Sequence, residues 1–290
     1  MPTINSVARR VLPDRVWNTV RSVAGHRLVY DQVAELRSGL RLRVKDHPDW
    51  AVFVEVFVQG GYDRPIRDTI RDAAARDAAA RAAGGAGRPV VVLDLGANAG
   101  FFTLRVVDLL RQEAPGVGAR VVAVEAGDRP ARKFRDRVFG ENGLGREVAL
   151  VRGLVGRREG SAAFVEYPAT TNSNVFDETL GGPLGGAAVD YVDLEDHVGP
   201  GPVDLVKCDV EGSEWDFLRS YGPLLARTRR VVVELHEAFV DYAACRAVLR
   251  DAGFILVETD VAGPCETDYW VRGSVERAGW DVERSDVGAG

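Results

Sequence analysis

Cysteine and long apolar runs are scarce in this chain of 290 residues. Its three cysteines, Cys208, Cys245 and Cys265, are widely spaced, so the sequence predicts neither a disulfide framework nor a cysteine metal site. No apolar run approaches the length that spans a membrane, and the N-terminus lacks the apolar core of a secretory signal. These absences favour a cytoplasmic protein with no membrane partner.

Positive charge is also in short supply. The formal net charge is −6, and lysine occurs only at Lys45, Lys133 and Lys207. A protein that binds nucleic acid generally needs a basic face, so this balance argues against a nucleic-acid partner. Hydrophobic residues make up 46% of the chain and charged residues 28%, which is typical of a soluble globular protein.

Strand and helix patterns alternate from Val90 onward, which predicts an α/β fold with a mostly parallel sheet and helices on both faces. The expected strands are 90–95, 120–125, 147–155, 203–209, 229–236, 254–258 and one near 268–275. The expected helices are 99–113, 128–142, 213–226 and 239–252. Two further extended segments, 160–167 and 187–193, fall between the third and fourth strands of this series.

The chain before Val90 has a different character. Spaced apolar and arginine residues over 1–35 predict short amphipathic helices that pack on the core, with a lid or a membrane-surface helix as alternatives. Residues 39–60 resemble strands, although the apolar run 51–58 fits a buried helix equally well. Residues 65–83 predict a helix that begins at a proline and is stopped by glycines. At the other end, 281–290 predicts a disordered tail.

A glycine-rich turn follows the first expected core strand. Asp94 and Leu95 lead into Gly96-Ala97-Asn98-Ala99-Gly100, and a helical pattern begins directly after it. Small residues let a ligand lie against the backbone, and the helix N-terminus favours negative charge. The spacing matches neither the dinucleotide fingerprint nor the phosphate loop of nucleotide-binding proteins.

Acidic side chains follow the next strands, where ligands of open α/β sheets bind. Glu125 ends the second strand, and its carboxylate could accept both hydroxyls of a ribose or serve as an N-terminal charge for the next helix. After the fourth strand, alternation places Lys207, Asp209 and Glu211 on one side. Three such charges are costly unless they are used for chemistry or joined in a structural ion-pair network.

Glu234 and His236 share a face of the following strand, which should bring them close to Asp209. Two carboxylates and one imidazole could hold Mg²⁺. The same three side chains could equally serve in acid–base chemistry without a metal.

Together these segments resemble the FkbM family of methyltransferases that use S-adenosylmethionine (SAM). The resemblance covers about residues 90–258 and is carried by Leu93–Phe102, Val122–Glu125, Val192–Leu194, Asp204–Glu214 and Val231–His236. It implies the class I methyltransferase fold, a Rossmann-like, seven-stranded, mostly parallel sheet with an antiparallel last strand, over 90–280. Residues 1–60 lie outside the resemblance and are expected to form an extension or lid that selects the acceptor, and 61–89 to form a helix and linker.

The resemblance also implies an activity, namely transfer of a methyl group from SAM to a hydroxyl of a small-molecule acceptor. That acceptor would be a sugar, a polyketide or another secondary metabolite. Methylation of nitrogen or a carboxyl group on a natural product or peptide is the alternative, as is SAM binding without catalysis. Metal dependence and a homodimeric state stay open.

Residue by residue, the resemblance implies a cofactor site and a reacting end. SAM would contact Tyr62, Asp94, Gly96, Ala97, Asn98, Gly100, Glu125, Ala126 and Asp209. Asp94 would either accept N–H bonds from the glycine loop or reach the methionine amino group. The acceptor would contact Thr171, Asn172, Ser173 and Glu211. For catalysis the candidates are Asp209, His236, Glu234 and Lys207, with Asp209 or His236 taking the hydroxyl proton and Glu234 orienting His236 or joining a metal site.

Overall fold

The computed structural model describes residues 31–166, 174–176 and 187–273, with the backbone alone for 174–176. The helices expected over 1–30, the acceptor candidates Thr171, Asn172 and Ser173, and the tail 281–290 lie outside the described residues. Within these described ranges, no helix combines the length and apolar character needed to cross a bilayer.

A seven-stranded sheet forms the centre of the fold. Its strands are β3 (Val90–Leu95), β4 (Ala119–Glu125), β5 (Val148–Arg152), β9 (Leu205–Cys208), β10 (Arg230–His236), β11 (Phe254–Ala262) and β12 (Cys265–Arg272). Their spatial order is β11-β12-β10-β9-β3-β4-β5. Of these seven strands, β12 runs in the direction opposite to the other six. This is the topology of the class I methyltransferase fold, so the expected fold is confirmed.

Helices cover both faces of this sheet. They are α3 (Phe101–Glu113), α4 (Asp128–Phe134), α5 (Leu194–Val198), α6 (Glu214–Ser220), α7 (Gly222–Ala226) and α8 (Tyr242–Asp251). Neighbouring strand residues such as Val92 and Leu93 belong to two different apolar clusters, one on each face. The continuous apolar runs in the sequence arise because a central parallel strand is buried on both sides.

The segment before β3 packs against one face of the sheet. It contains a hairpin of β1 (Gln32–Glu35) and β2 (Arg41–Val44), the helix α1 (His47–Phe53) with a π-helical turn (Val54–Gln59), and the helix α2 (Asp63–Ala82). The expectation of a helix over 32–35 is therefore wrong, because this stretch pairs with β2 and buries Ala34 and Leu36. The apolar run 51–58 is helical, which agrees with the alternative of a buried helix rather than with a strand.

Buried ion pairs fasten this segment to the sheet domain. The Arg137 guanidinium donates to Asp49 Oδ2 at 2.7 Å, and both side chains are 2% exposed. Lys133 Nζ lies 2.8 Å from the other Asp49 oxygen and 2.6 Å from Asp46 Oδ2. If α1 moved away, these charges would be left buried without a partner, which is costly. The ion pairs therefore hold α1 in a defined position.

The extended segments expected near 160–167 and 187–193 form part of a small antiparallel sheet. Its strands are β6 (Ser161–Val165), β7 (Asn174–Phe176) and β8 (Ala187–Asp190), in the order β7-β6-β8. The single helix expected over 213–226 is instead α6 followed by α7. The break falls at Tyr221, whose hydroxyl donates to Val192 O at 2.8 Å, and Pro223 begins the new helix.

Candidate active site

The glycine turn after β3 lies directly against the end of β9. Gly96 has a φ of 72°, and a Cβ placed on it would lie 1.7 Å from the carbonyl oxygen of Asp209. Gly100 precedes α3 with a φ of 86°, and its Cβ would lie 2.8 Å from Val138 Cγ2. Only glycine tolerates both the left-handed backbone and these approaches, so both glycines are required by geometry.

Asp94 is completely buried beneath this turn. Its Oδ2 accepts a hydrogen bond of 2.6 Å from Thr103 Oγ1 in α3, and its Oδ1 lies 3.7 Å from Lys207 Nζ without a hydrogen-bond partner. Burial raises the pKa of Asp94 above its usual value, although Lys207 opposes the shift. The side chain thus hydrogen-bonds α3 rather than a backbone N–H of the glycine turn.

Lys207 joins the glycine turn to the tip of β9. Its ammonium donates to Gly96 O at 2.8 Å and lies 3.2 Å from Asp209 Oδ2. Burial alone would lower the pKa of Lys207, but the carboxylates of Asp209 and Asp94 outweigh it and raise the pKa. The ammonium is committed to these partners, which suits positioning of Asp209 rather than a chemical step of its own.

Glu125 also braces the turn. Its two oxygens accept backbone N–H bonds from Asn98 at 2.7 Å and from Gly127 at 2.6 Å, just before α4. Burial raises the pKa of Glu125 to about 7. A carboxylate oxygen can accept more than one hydrogen bond, so Glu125 retains capacity for ribose hydroxyls while it holds these two amides.

A cleft that is open to solvent runs across the carboxyl ends of β3, β4 and β9. Its polar lining includes Asn98, Glu125, Asp209, Glu211 and Ser213, together with the backbone of Gly96. Its apolar lining includes Val124, Ala126, Pro130, Leu154, Val155 and Phe164. Of the expected cofactor contacts, Gly96, Asn98, Glu125, Ala126 and Asp209 line this cleft. The other four are buried and do not line it, namely Tyr62, Asp94, Ala97 and Gly100.

Beyond the Asp209 end, β9 and β10 bring a histidine and several carboxylates together. His236 Nδ1 lies 2.9 Å from Glu214 Oε1, while Nε2 lies 3.3 Å from Glu211 Oε2 and 3.7 Å from Glu234 Oε1. We name Glu211, Glu214, Glu234 and His236 the histidine cluster. The sequence correctly placed His236 near the tip of β9, but it missed Glu214, which makes the shortest contact to the ring.

Three members of the histidine cluster, Glu211, Glu234 and His236, have pKa values raised to neutrality or above it. Burial, with repulsion from Asp209, raises the pKa of Glu211 to about 7 and that of Glu234 to about 8. Burial would lower the pKa of His236, but the hydrogen bond and charge of Glu214, followed by the charges of Glu211 and Asp209, raise it to about 9. Such shifted groups are typical of acid–base sites.

Glu55 is a second residue that sequence reasoning missed. It lies in the π-helical turn and shares a side-chain hydrogen bond with Tyr62, whose ring packs edge-on against Phe102 at 5.2 Å between centroids. Burial raises the pKa of Glu55, and the negative charge of Asp209 adds to the shift. The signal was present, because Glu55 is the only charge in the apolar run 51–58, and π-helical turns are frequent at functional sites.

The candidate metal ligands fall into two overlapping groups. Among the described residues, ligand atoms of Asp209, Glu211 and His236 lie within 4.8 Å of one another, as do those of Glu234, His236 and Cys265. Asp209 and Glu234 therefore each join His236 in a different group. The first group, with two carboxylates and an imidazole, is the one whose ligand chemistry suits Mg²⁺ or Mn²⁺.

Several solved structures are similar to the chain at low sequence identity. An FkbM methyltransferase from Methylobacillus flagellatus KT is 12% identical with a TM-score of 0.44, over 62% of this chain and 44% of that one. The chain therefore spans less than half the length of that relative. Fibrillarin from Aeropyrum pernix, in complex with natively bound SAM, is 15% identical over 86% of both chains with a TM-score of 0.41. A ribosomal protein L11 methylase from Lactobacillus delbrueckii subsp. bulgaricus is 13% identical over 74% of this chain and 79% of that one, with a TM-score of 0.41.

The sequence match to a protein family is more specific than these likenesses. No curated protein sequence matches the chain. Residues 94–256, more than half of the chain, match the methyltransferase FkbM domain. The matched range begins at Asp94 beneath the glycine turn and includes Glu125, the tip of β9 and the whole histidine cluster. The chain belongs to the FkbM family of methyltransferases.

Proposed function

We propose that the protein transfers a methyl group from SAM to a hydroxyl of a small molecule. The observation that supports SAM as the donor is the sequence of groups along the strand order β9-β3-β4-β5, which runs from the carboxylate of Asp209 after β9, through Glu125 at the end of β4, to the apolar Leu154 after β5. SAM has the same order of parts, with a charged amino-acid end, a ribose and an adenine ring.

The residues of the cleft fit this cofactor part by part. The turn at Gly96 lines the cleft with backbone, and its missing side chain lets the tip of β9 approach, which brings Asp209 to the cleft. Glu125 would accept from the ribose hydroxyls, and Leu154, Val155 and Phe164 would enclose the adenine. Asp209 would face the amino-acid end, held in place by Lys207 at 3.2 Å.

Bound SAM would supply an electrophilic methyl group, and the chain's residues would do the rest. In the transfer, the acceptor oxygen forms a bond to the methyl carbon while the carbon–sulfur bond breaks and its electron pair stays on sulfur. An alcohol is a poor nucleophile at neutral pH, so its proton must leave to a base. Asp209, which lines the cleft, takes that proton, or His236 does so at alkaline pH, since its pKa of about 9 leaves the ring protonated at neutral pH. Glu211 contacts the acceptor.

The surroundings of the reacting end support a small-molecule acceptor. Among the described residues, the cleft is lined by the carboxyl groups of Glu125, Asp209 and Glu211 and by no lysine or arginine, so it lacks the basic side chains that the phosphates of a nucleic acid require. The overall charge of −6 points the same way. Methylation of nitrogen or a carboxyl group would use the same donor site, so a panel of acceptors must decide between these chemistries.

Calorimetry with SAM, S-adenosylhomocysteine and NAD tests the donor first. We expect both sulfur compounds to bind and NAD not to bind; failure of SAM to bind would refute the proposal. Methyl transfer from labelled SAM to a panel of sugars, polyketides, amines and carboxylic acids then tests the acceptor. Labelled product from amines or carboxylic acids alone would refute hydroxyl transfer in favour of methylation of nitrogen or a carboxyl group. SAM binding with no product from any acceptor class would favour a non-catalytic protein.

Two substitutions test the proposed bases. His236→Ala should leave SAM affinity within a few-fold of wild type and lower turnover by about 10²–10⁴-fold, the usual contribution of a general base. Asp209→Asn should lower turnover by a similar factor and also weaken SAM binding, because Asp209 faces the amino-acid end of SAM. Glu159→Ala, in an exposed loop, is the control and should change neither quantity. Near-normal turnover in both site variants would contradict the assignment.

Metal dependence is a separate hypothesis with its own test. A metal held by His236, together either with Asp209 and Glu211 or with Glu234, would activate the acceptor oxygen directly. Loss of turnover in EDTA, restored by added Mg²⁺, would support it. Full turnover after exhaustive chelation would leave the metal-free acid–base version.

A further inference from the structure

Glu214 is a completely buried carboxylate in the first turn of α6, next to His236. Its position is fixed from the backbone side, because the N–H of Gly212 donates to Oε1 at 3.1 Å and to Oε2 at 3.0 Å. Oε1 also faces His236 Nδ1 at 2.9 Å. The carboxylate is therefore held in place before it meets the ring.

This contact bears on which nitrogen of the neutral ring carries a proton. An ionised carboxylate can only accept, so an ionised Glu214 accepts the 2.9 Å hydrogen bond from a proton on Nδ1 of His236. The other nitrogen, Nε2, then faces Glu211 and Glu234 on the side of the cleft. A hydrogen bond at one nitrogen of a histidine generally fixes the ring's orientation and the chemistry of the other.

We propose that Glu214 is a positioning residue that keeps a proton on Nδ1 of His236 and directs Nε2 toward the acceptor. Its effect on turnover rests on the proposed function, whereas its effect on the ring does not. The role holds whether Nε2 takes a proton or binds a metal, because both need Nε2 to face the cleft.

A purely structural role is the competing explanation. Glu214 also ties down the turn at Gly212, where φ is 110° and the ring of Phe239 packs closely. If that were its whole purpose, its replacement would lower stability without changing the state of the imidazole. The two roles therefore differ in a measurement made on the ring itself.

Nuclear magnetic resonance of histidine labelled with ¹⁵N provides that measurement. The chain has four histidines, so a His236→Gln variant identifies the His236 signals by their loss. In the wild-type protein we expect a proton on Nδ1, shifted downfield and slow to exchange. A wild-type spectrum in which Nδ1 carries no proton would overturn the proposal even if every variant failed to fold.

The variant Glu214→Gln preserves the shape of the side chain and removes its charge. We expect the downfield Nδ1 proton to disappear or shift strongly, and turnover to fall by about 10–100-fold with SAM affinity unchanged. Asp216→Asn is the matched control, since Asp216 is a more exposed acid in the same first turn of α6. It should leave both the ring signals and turnover as in wild type.

The outcomes separate this proposal from the proposed function. Unchanged His236 signals in folded Glu214→Gln, or a changed spectrum with undiminished turnover, would refute the positioning role. Absence of SAM binding by the wild-type protein would refute the proposed function, and the Nδ1 proton would still report on Glu214.

Discussion

Replacing Gly96 by alanine tests the contact on which the donor site depends, the approach of the glycine turn to the tip of β9. The new Cβ would lie 1.7 Å from Asp209 O, whereas ordinary contact begins near 3.4 Å. The turn and the strand tip must therefore separate by well over an ångström. That movement strains the hydrogen bond from Lys207 Nζ to Gly96 O at 2.8 Å and the bond from Asp209 N to Leu95 O at 3.1 Å.

The magnitude follows from two contributions. A left-handed backbone costs a residue with a Cβ about 1–2 kcal/mol relative to glycine. A lost hydrogen bond from a charged donor costs about 1.5–3 kcal/mol. We expect Gly96→Ala to lower the free energy of unfolding by about 3–5 kcal/mol and to abolish measurable SAM binding, because the same movement displaces Gly96 and Asp209, which both line the cleft.

Gly143→Ala is the matched control for backbone strain. Gly143 also has a positive φ, 64°, but nothing lies within 4 Å of the position of its Cβ. This variant should lose only about 1–2 kcal/mol and bind SAM normally. Urea unfolding gives the two free energies, and calorimetry on folded protein gives the affinities. If Gly96→Ala is no less stable than Gly143→Ala and binds SAM as wild type does, the close approach is refuted.

Two further predictions concern buried charge. Lys207→Met should lower the free energy of unfolding in urea by about 3–5 kcal/mol, because it leaves Asp94 buried without its cation. Adding Asp94→Asn should recover part of that loss. A loss below about 1 kcal/mol would contradict the role of Lys207. Burial raises the pKa of Glu125 from 4.5 to about 7, so the folded state binds its proton more tightly than the unfolded chain, and this site's contribution to stability falls as pH rises through that interval. Glu125→Gln should therefore lose less stability than wild type between those pH values, and it should bind SAM more weakly; an unchanged pH dependence would show that Glu125 is not buried as described.

The sequence was most informative where structure is set by local pattern. The apolar runs around Val92 and Val232 predicted central strands because burial on both faces leaves no polar position in such a strand. The glycine turn was recognisable because a left-handed backbone at Gly96 and Gly100 restricts the residue type. His236 was placed near Asp209 because parallel strands end at the same edge of a sheet.

Local pattern failed where a partner from elsewhere in the chain decided the outcome. Residues 32–35 form a strand because β2 supplies the other half of a hairpin. The break in the helix expected over 213–226 differs, because Pro223 in the first turn of α7 was a local signal, whereas the pairing of 32–35 with β2 had none. Periodicity describes the residue's own element and carries no information about such partners.

The amino-acid sequence by itself determined the order of the strands and helices, the glycine turn and the family, since all of these follow from residue type and spacing along the chain. Only the tertiary structure decided that Glu214, rather than Glu234, makes the closest contact to His236, and that Glu55 stands beside Asp209. The physical reason is that the alternation of side chains between the two faces of a strand predicts their directions only as far as the strand's last residue. Beyond that point the turn at Gly212 and the packing of α1 and α6 determine which carboxylate reaches the ring and which reaches the cleft.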